Sequence, residues 1–244
     1  MAERVAQLSD RVGEVRRRIA DAAQRAGRDP SAVTLVAITK TFPIEAVAAG
    51  YEVGLRHFGE NRVEEAEGKI ALAAQQLPGD VTWHMVGHIQ SRKTHTVAEL
   101  FPWVHSVDRV KIARRLAESA VSLGRALDIL LEVNVSGEES KYGFELVGEP
   151  SGPAFEMFCG QVAQIAALNG VRLRGLMTMA PFTEDSQSIR PVFRWLRQLR
   201  DALQLRLPEL ELAHLSMGMS GDYEVAVEEG ATLVRIGTAI FGPR

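Results

Sequence analysis

Thr34-Leu-Val-Ala-Ile-Thr-Lys-Thr41 is a short apolar run, rich in branched side chains, that ends abruptly in a lysine. Leu35–Ile38 shows no alternation of apolar and polar residues, so both faces of this strand are expected to be covered, as in a parallel sheet with helices packed over it. Ile129-Leu-Leu-Glu-Val-Asn-Val135 repeats the pattern. Working outward, the spacing predicts strands at 34–39, 56–59, 82–86, 104–106, 128–135, 172–177, 212–215 and 233–236. Helical periodicity fills the intervals at about 44–50, 62–76, 90–100, 109–123, 154–169, 187–204 and 222–229. A leading helix over 2–26 places Val5, Leu8, Val12, Val15 and Ile19 on one face and stops near Gly27 and Pro30. Strands alternating with helices in a chain of 244 residues predict an α/β fold, a single TIM-type (βα)8 barrel with an additional N-terminal helix. An open doubly wound sheet is the alternative. Gly148-Glu-Pro-Ser-Gly-Pro153 reads as a loop rather than a linker, so residues 1–244 are expected to form one domain.

Hydrophobic residues make up 46% and charged residues 24% of the chain, enough for a large core and typical of a globular protein. The net charge of −3 is interspersed, with no basic stripe for nucleic acid or an anionic membrane. Arg16-Arg17-Arg18 reads as a solvated helix face. Cys159 is the only cysteine, which excludes an internal disulfide and a thiolate metal cluster. The N-terminus does not read as a signal peptide, and no apolar stretch approaches the roughly 20 residues of a membrane span. The expectation is a cytoplasmic protein.

In a barrel, chemistry gathers where strands end at their C-terminal side. Lys40 follows an apolar strand directly. A desolvated lysine there has a lowered pKa, and its neutral amine can form an imine with an aldehyde; a snorkelling rim lysine is the plainer reading. After the last two strands, Ser216, Gly218 and Ser220 face Gly237 and Thr238, a combination of hydroxyls and free backbone N–H groups that suits a phosphate. Alternatively, these residues end strands and cap a helix. Arg235 shares a strand face with Gly237 and, if inward, reaches a phosphate or a cofactor ring. His84 and His88 lie about 13 Å apart if extended, too far to share one ion. His57, His95, His105 and His214 have no companion at useful spacing and are assigned no chemistry. Dinucleotide, Walker and nucleophile-elbow motifs are absent.

Seven segments, in order along nearly the whole chain, resemble the pyridoxal phosphate homeostasis protein family, a fold-type III barrel that binds pyridoxal 5′-phosphate (PLP). They are Leu35-Val-Ala-Ile-Thr-Lys-Thr41, Phe58-Gly-Glu-Asn61, Trp83–Gly87 with Gln90, Ser91 and Lys93, and Asn134-Val-Ser136 with Ser140 and Lys141. Arg174-Gly-Leu-Met177, Leu215-Ser-Met-Gly-Met-Ser220 and Val234-Arg-Ile-Gly-Thr-Ala-Ile-Phe-Gly242 complete the set. The resemblance implies that Lys40 is the Schiff-base lysine, that Ser216, Ser220, Gly237 and Thr238 surround the phosphate, and that Arg235 faces the pyridine nitrogen or the phosphate. Asn61 and Met177 would line the ring. Lys141 is either a second PLP-accepting amine or a solvated loop lysine. Two positions depart from the family pattern: Phe42 stands where a second lysine is common and His88 where proline is common.

The resemblance implies a monomer that buffers or delivers PLP, with PLP-dependent apo-enzymes as candidate recipients. Related racemases of this fold add a β-rich domain and a tyrosine from a second subunit. Only eight residues follow Ile236, and Tyr51, Tyr142 and Tyr223 fall in predicted loops or helix ends. Racemisation needs acid and base on opposite faces of one carbon, and Lys40 is the only group nominated from sequence. The expectation is therefore a cofactor carrier in PLP homeostasis without turnover. A small PLP-dependent enzyme such as an amino-acid racemase is the alternative, and a PLP-free barrel binding another phosphate ester a third reading.

Overall fold

A computed structural model describes residues 2–135, 137–138, 141–147, 150–181, 183, 185 and 187–243, apart from the side chains of Ala2 and Arg4. Gly148 and Glu149, within the expected loop, lie outside the described residues. The strands are β1 (Thr34–Ile38), β2 (His57–Glu60), β3 (Thr82–Met85), β4 (Trp103–Val107), β5 (Leu127–Asn134), β6 (Phe144–Glu145), β7 (Val171–Met177), β8 (His214–Ser216) and β9 (Leu233–Ile236). All pairings are parallel, in the order β4-β3-β2-β1-β9-β8-β7-β5, and a further β4–β5 ladder closes the ring. The two-residue β6 adds to β5 from outside that ring. The result is the expected closed eight-stranded barrel.

The helices are α1 (Ala2–Arg25), α2 (Ile44–Glu52), α3 (Val63–Gln76), α4 (Thr94–Leu100), α5 (Val110–Ser122), α6 (Gly152–Ala166), α7 (Arg190–Arg206), α8 (Tyr223–Glu228) and α9 (Thr238–Phe241). Of these, α1 precedes the barrel and packs against α2, α8 and α9. Its buried Val12, Val15, Ile19 and Ala22 recur at helical spacing. Gly27 at φ 64 ends it, with the Arg28 N–H reaching back to the Ala23 carbonyl.

The core has two compartments. One lies between strands and helices and includes Phe58, Phe101, Phe158 and Phe193, all at most 2% exposed. The other, formed by Val36, Ile38, Leu130, Met177 and Leu233, fills the barrel itself. A bulge interrupts the β5–β7 register at Ile129/Leu130. Opposite it, a Cβ on Gly175 would lie 1.8 Å from the His214 carbonyl oxygen, so β7 and β8 approach there only over a glycine.

Predicted and observed strands agree to within a residue or two at most ends. Helix α9, however, goes unpredicted because four residues show no periodicity. The 3₁₀ turn Ser91–Lys93 separates the predicted 90–100 segment from α4 proper. Among the described residues, no helix is long and apolar enough to cross a membrane, and no group of three or more His, Cys, Asp or Glu is placed to hold a metal.

Phe58 packs on Trp83, ring centroids 5.8 Å apart, and lies beneath Gly50. Phe58→Ala should lower the unfolding free energy by about 3–5 kcal/mol and the thermal midpoint by roughly 10 °C. Calorimetry of the two proteins checks this.

Candidate functional site

Lys40 stands immediately past β1, half-buried, inside a tight turn. The Phe42 N–H donates to the Thr39 carbonyl at 3.0 Å. Thr41 adopts a left-handed φ of 67, uncommon for a β-branched residue, and its N–H donates to the Glu65 carboxylate. Beneath the turn lies a buried ionic knot. Lys69 Nζ donates to Glu60 Oε1 at 2.7 Å, to the Thr39 carbonyl at 2.8 Å and to Glu65 Oε1 at 3.1 Å, while Thr39 Oγ1 donates to Glu60 Oε1 at 2.6 Å. Burial raises the Glu60 pKa, opposed by the bonds from Lys69 and Thr39. The turn carrying Lys40 is thus held at three points. Phe42 packs on Phe241 of α9, ring centroids 5.2 Å apart, joining the turn to the last helix.

On the next strands, Asn61 follows β2 and lies over Gly87. A Cβ at 87 would meet the Asn61 carbonyl oxygen at 2.1 Å, so this close approach requires glycine. His88, the next residue, stacks on Tyr142 at 3.9 Å between centroids. Its Nδ1 lies 3.3 Å from Asp108 Oδ2 without hydrogen-bond geometry.

The opposite arc is formed by β8 and β9. Arg235 is 5% exposed and donates to Ser216 Oγ at 2.7 Å and to the Thr178 carbonyl at 2.9 Å. Burial lowers its pKa to about 10, against the attraction of Asp222 and Glu132. Above it, Ser220 Oγ accepts from the Ala239 N–H at 3.3 Å. Among the described residues, the backbone N–H groups of Ser220, Gly237 and Thr238 donate to no protein acceptor. Several N–H groups on one rim, near a buried guanidinium, form a place for a multiply accepting anion. Because Ala37 pairs with Ile236, the turn bearing Lys40 lies beside this arc.

The predicted residues therefore occupy one mouth of the barrel, with two refinements. Met177 is fully buried among the interior apolar side chains at the end of β7. Ser216 is also fully buried, accepts from Arg235, and lies 2.8 Å from His105 Nδ1. Lys141 has a mostly buried side chain paired with Glu138 at 2.6 Å, so it is not a solvated loop lysine. Ser136 and Ser140 lie outside the described residues.

Sequence reasoning passed over four groups. Glu60 and Lys69 anchor the Lys40 turn. His105 is assigned no chemistry from spacing, yet it meets Ser216. Glu132, inside the barrel on β5, has its pKa raised to about 7 by burial and by Asp108, with Arg235 opposing. Its position within a continuous apolar strand was the available signal.

The chain matches the alanine racemase N-terminal domain family over residues 11–244. It is 46% identical over 237 residues to the pyridoxal phosphate homeostasis protein of Pseudomonas aeruginosa, covering 97% of this chain and 96% of that one. The protein of the same name from Aquifex aeolicus is 42% identical over 235 residues, with coverage of 96% and 97%. Among solved structures, PipY of Synechococcus elongatus PCC7942 with PLP bound superposes with a TM-score of 0.80 at 36% identity, covering 96% of this chain and all of that one.

Because the Glu132 pKa rises from 4.5 to about 7 on folding, the native state binds more protons than the unfolded state between those values. Stability is therefore fullest below pH 4.5, as far as this group is concerned, and declines as pH rises through 7. Glu132→Gln should remove that decline and leave the variant more stable than the native protein at pH 8, by up to about 3 kcal/mol. Urea unfolding at pH 5 and pH 8 measures it.

Proposed function

Because the chain belongs to the pyridoxal phosphate homeostasis protein family, we propose that it holds PLP as a Schiff base on Lys40 and serves intracellular PLP homeostasis without catalytic turnover. The observation that carries this reading is the joint placement of the Lys40 turn, the unpaired N–H groups of the β8–β9 arc and buried Arg235 on one barrel mouth. PLP supplies an aldehyde that condenses reversibly with an amine, releasing water.

This chain's residues divide that work. Lys40 provides the amine, and the knot of Glu60, Glu65 and Lys69 keeps its turn in place. Ser220, Gly237 and Thr238 offer N–H and hydroxyl groups to the phosphate. Asn61 would flank the ring, with Met177 buried beneath it among the apolar side chains of the barrel interior. Arg235 would face the pyridine nitrogen and, as a cation, would disfavour ring protonation. Ser216, expected at the phosphate, would instead orient Arg235, since it meets Arg235 and His105 in the barrel interior.

Each of the three tyrosines has a partner of its own. Tyr51 donates to Asp80 at 2.7 Å on the outer side of the barrel, and Tyr223 is buried beneath Arg18 of α1. Tyr142 is stacked on His88. Recipients would be PLP-dependent apo-enzymes, supplied by a monomer in the cytoplasm.

Titrating cofactor-free protein with PLP should produce the visible imine absorbance in the native chain and none in Lys40→Ala. Ser220→Ala and Thr238→Val should each weaken binding roughly tenfold, the worth of one hydrogen bond to a charged group. Prolonged incubation with L- and D-amino acids, followed by chiral chromatography, should show no interconversion. Interconversion abolished by Lys40→Ala would replace the carrier with a racemase.

A further inference from the structure

Three imidazoles cross the barrel interior in one hydrogen-bonded row. His57 Nδ1 lies 3.0 Å from His84 Nε2, and His84 Nδ1 lies 2.9 Å from His105 Nε2. His105 Nδ1 then lies 2.8 Å from Ser216 Oγ, which accepts from Arg235 at 2.7 Å. The sheet register explains the row. Gly59 pairs with His84, and His84 with Trp103, so each histidine stands two residues further along its strand than the one before, on the same face. The row climbs from one mouth of the barrel to the site at the other. His57 is half-buried and lines a cavity of about 460 Å³ with Arg16, Thr34, Gly54 and Arg56 at the N-terminal mouth. His84 and His105 are 1% and 0% exposed.

Hydrogen counting restricts what such a row can do. A neutral imidazole has one N–H and one bare nitrogen. Suppose Ser216, which already accepts from Arg235, donates its own hydrogen to His105 Nδ1. His105 must then donate from Nε2 to His84, His84 from Nε2 to His57, and His57 keeps its hydrogen on Nε2 beside the cavity. Every contact is satisfied with all three rings neutral. The opposite polarity needs a hydrogen on His57 Nδ1 pointing inward, and it frees the Ser216 hydrogen to turn away from His105.

We propose that His57, His84 and His105 form a proton path between the N-terminal mouth and the Ser216–Arg235 pair, with the polarity of the row set by the protonation state of His57. The transfers balance as follows. An acid at the C-terminal mouth, either hydronium or an acidic group bound beside Arg235, gives a proton to Ser216 Oγ and is left as its conjugate base, while Ser216 releases its original hydroxyl proton to His105 Nδ1. His105 passes its Nε2 proton to His84 Nδ1, and His84 passes its Nε2 proton to His57 Nδ1. One proton has moved from the site to His57, Ser216 is again a hydroxyl, and both deep rings are again neutral, now protonated on Nδ1. Reversal returns it. The deep rings change tautomer without holding charge, which their burial makes costly.

Of the three rings His57 alone is open to solvent, so a charge on the row can be hydrated only at the mouth, where the neighbouring arginines and partial burial oppose it. His57 shares its cavity with Arg16 of α1 and with Arg56, which is paired to Asp80 at 2.8 Å. His84 is stacked on Trp103. His105 faces Arg235 and His214, the latter near Arg174, Asp128 and Glu211, while Arg235 faces Glu132 and Asp222. Burial holds His57 below the ordinary histidine value and His84 and His105 well below it. The three histidines are positioning residues. Only the identity of the group near Arg235 rests on the PLP reading.

The test uses the full chain labelled with ¹⁵N-histidine, without added PLP, so its outcome is separate from that of the PLP reading. Imidazole nitrogen shifts and couplings across the hydrogen bonds are followed from about pH 8 down through the titration of His57. Above it, all three rings should carry hydrogen on Nε2. Below it, His57 should be doubly protonated, with His84 and His105 neutral and switched to Nδ1. In His57→Gln the two deep rings should keep one tautomer throughout. Deep tautomers unmoved as His57 titrates, a second proton on either deep ring, or switching that persists in His57→Gln would overturn the proposal.

Discussion

A guanidinium held inside a barrel needs acceptors for its hydrogens and counter-charge nearby. Arg235 finds acceptors in Ser216 Oγ and the Thr178 carbonyl, and counter-charge in Glu132 and Asp222. Much of the interior follows from this. Ser216 is drawn inward, toward Arg235 and His105. His105 meets Ser216 from the far side and carries the contact on to His84 and His57. Glu132 is kept from a still higher pKa by the same cation. Parallel closure of the eight strands then places Arg235 beside the turn that presents Lys40, since β1 and β9 are neighbours.

Two kinds of support hold the mouth in shape. Around Lys40 it is ionic: the Lys69 ammonium ties the carboxylates of Glu60 and Glu65 to the backbone of Thr39. Around Asn61 and Gly218 it is steric, because side chains at 87 and 218 would collide with Asn61 and Ala226. A preorganised mouth of this kind suits a cofactor that must be held and then released. Fixed donors do not have to be ordered when the ligand arrives.

The strands were legible because each is a short apolar run bounded by polar residues, and Lys40 because a charged residue ends such a run. Arg235 and the Ser216–Ser220 and Gly237–Thr238 segments were legible for the same reason: strand ends were known to matter. The row of histidines was not. Its members are 27 and 21 residues apart, and only the two-residue stagger between neighbouring strands brings them together. Spacing along one strand correctly separated His84 from His88, but it cannot see across strands. Lys69 was hidden for a related reason. It lies on the inward side of α3, where a buried lysine makes sense only once Glu60 is known to lie beneath it. Helix α9 and strand β6 are too short for any periodic signal.

Lys40 is the amine proposed to carry the cofactor. Borohydride reduction of PLP-loaded protein, followed by proteolysis and peptide mass mapping, tests it most directly. The expected principal product is a reduced pyridoxyl-phosphate adduct on the peptide containing Lys40. Principal attachment at Lys141 or any other lysine, with Lys40 unmodified, would contradict it.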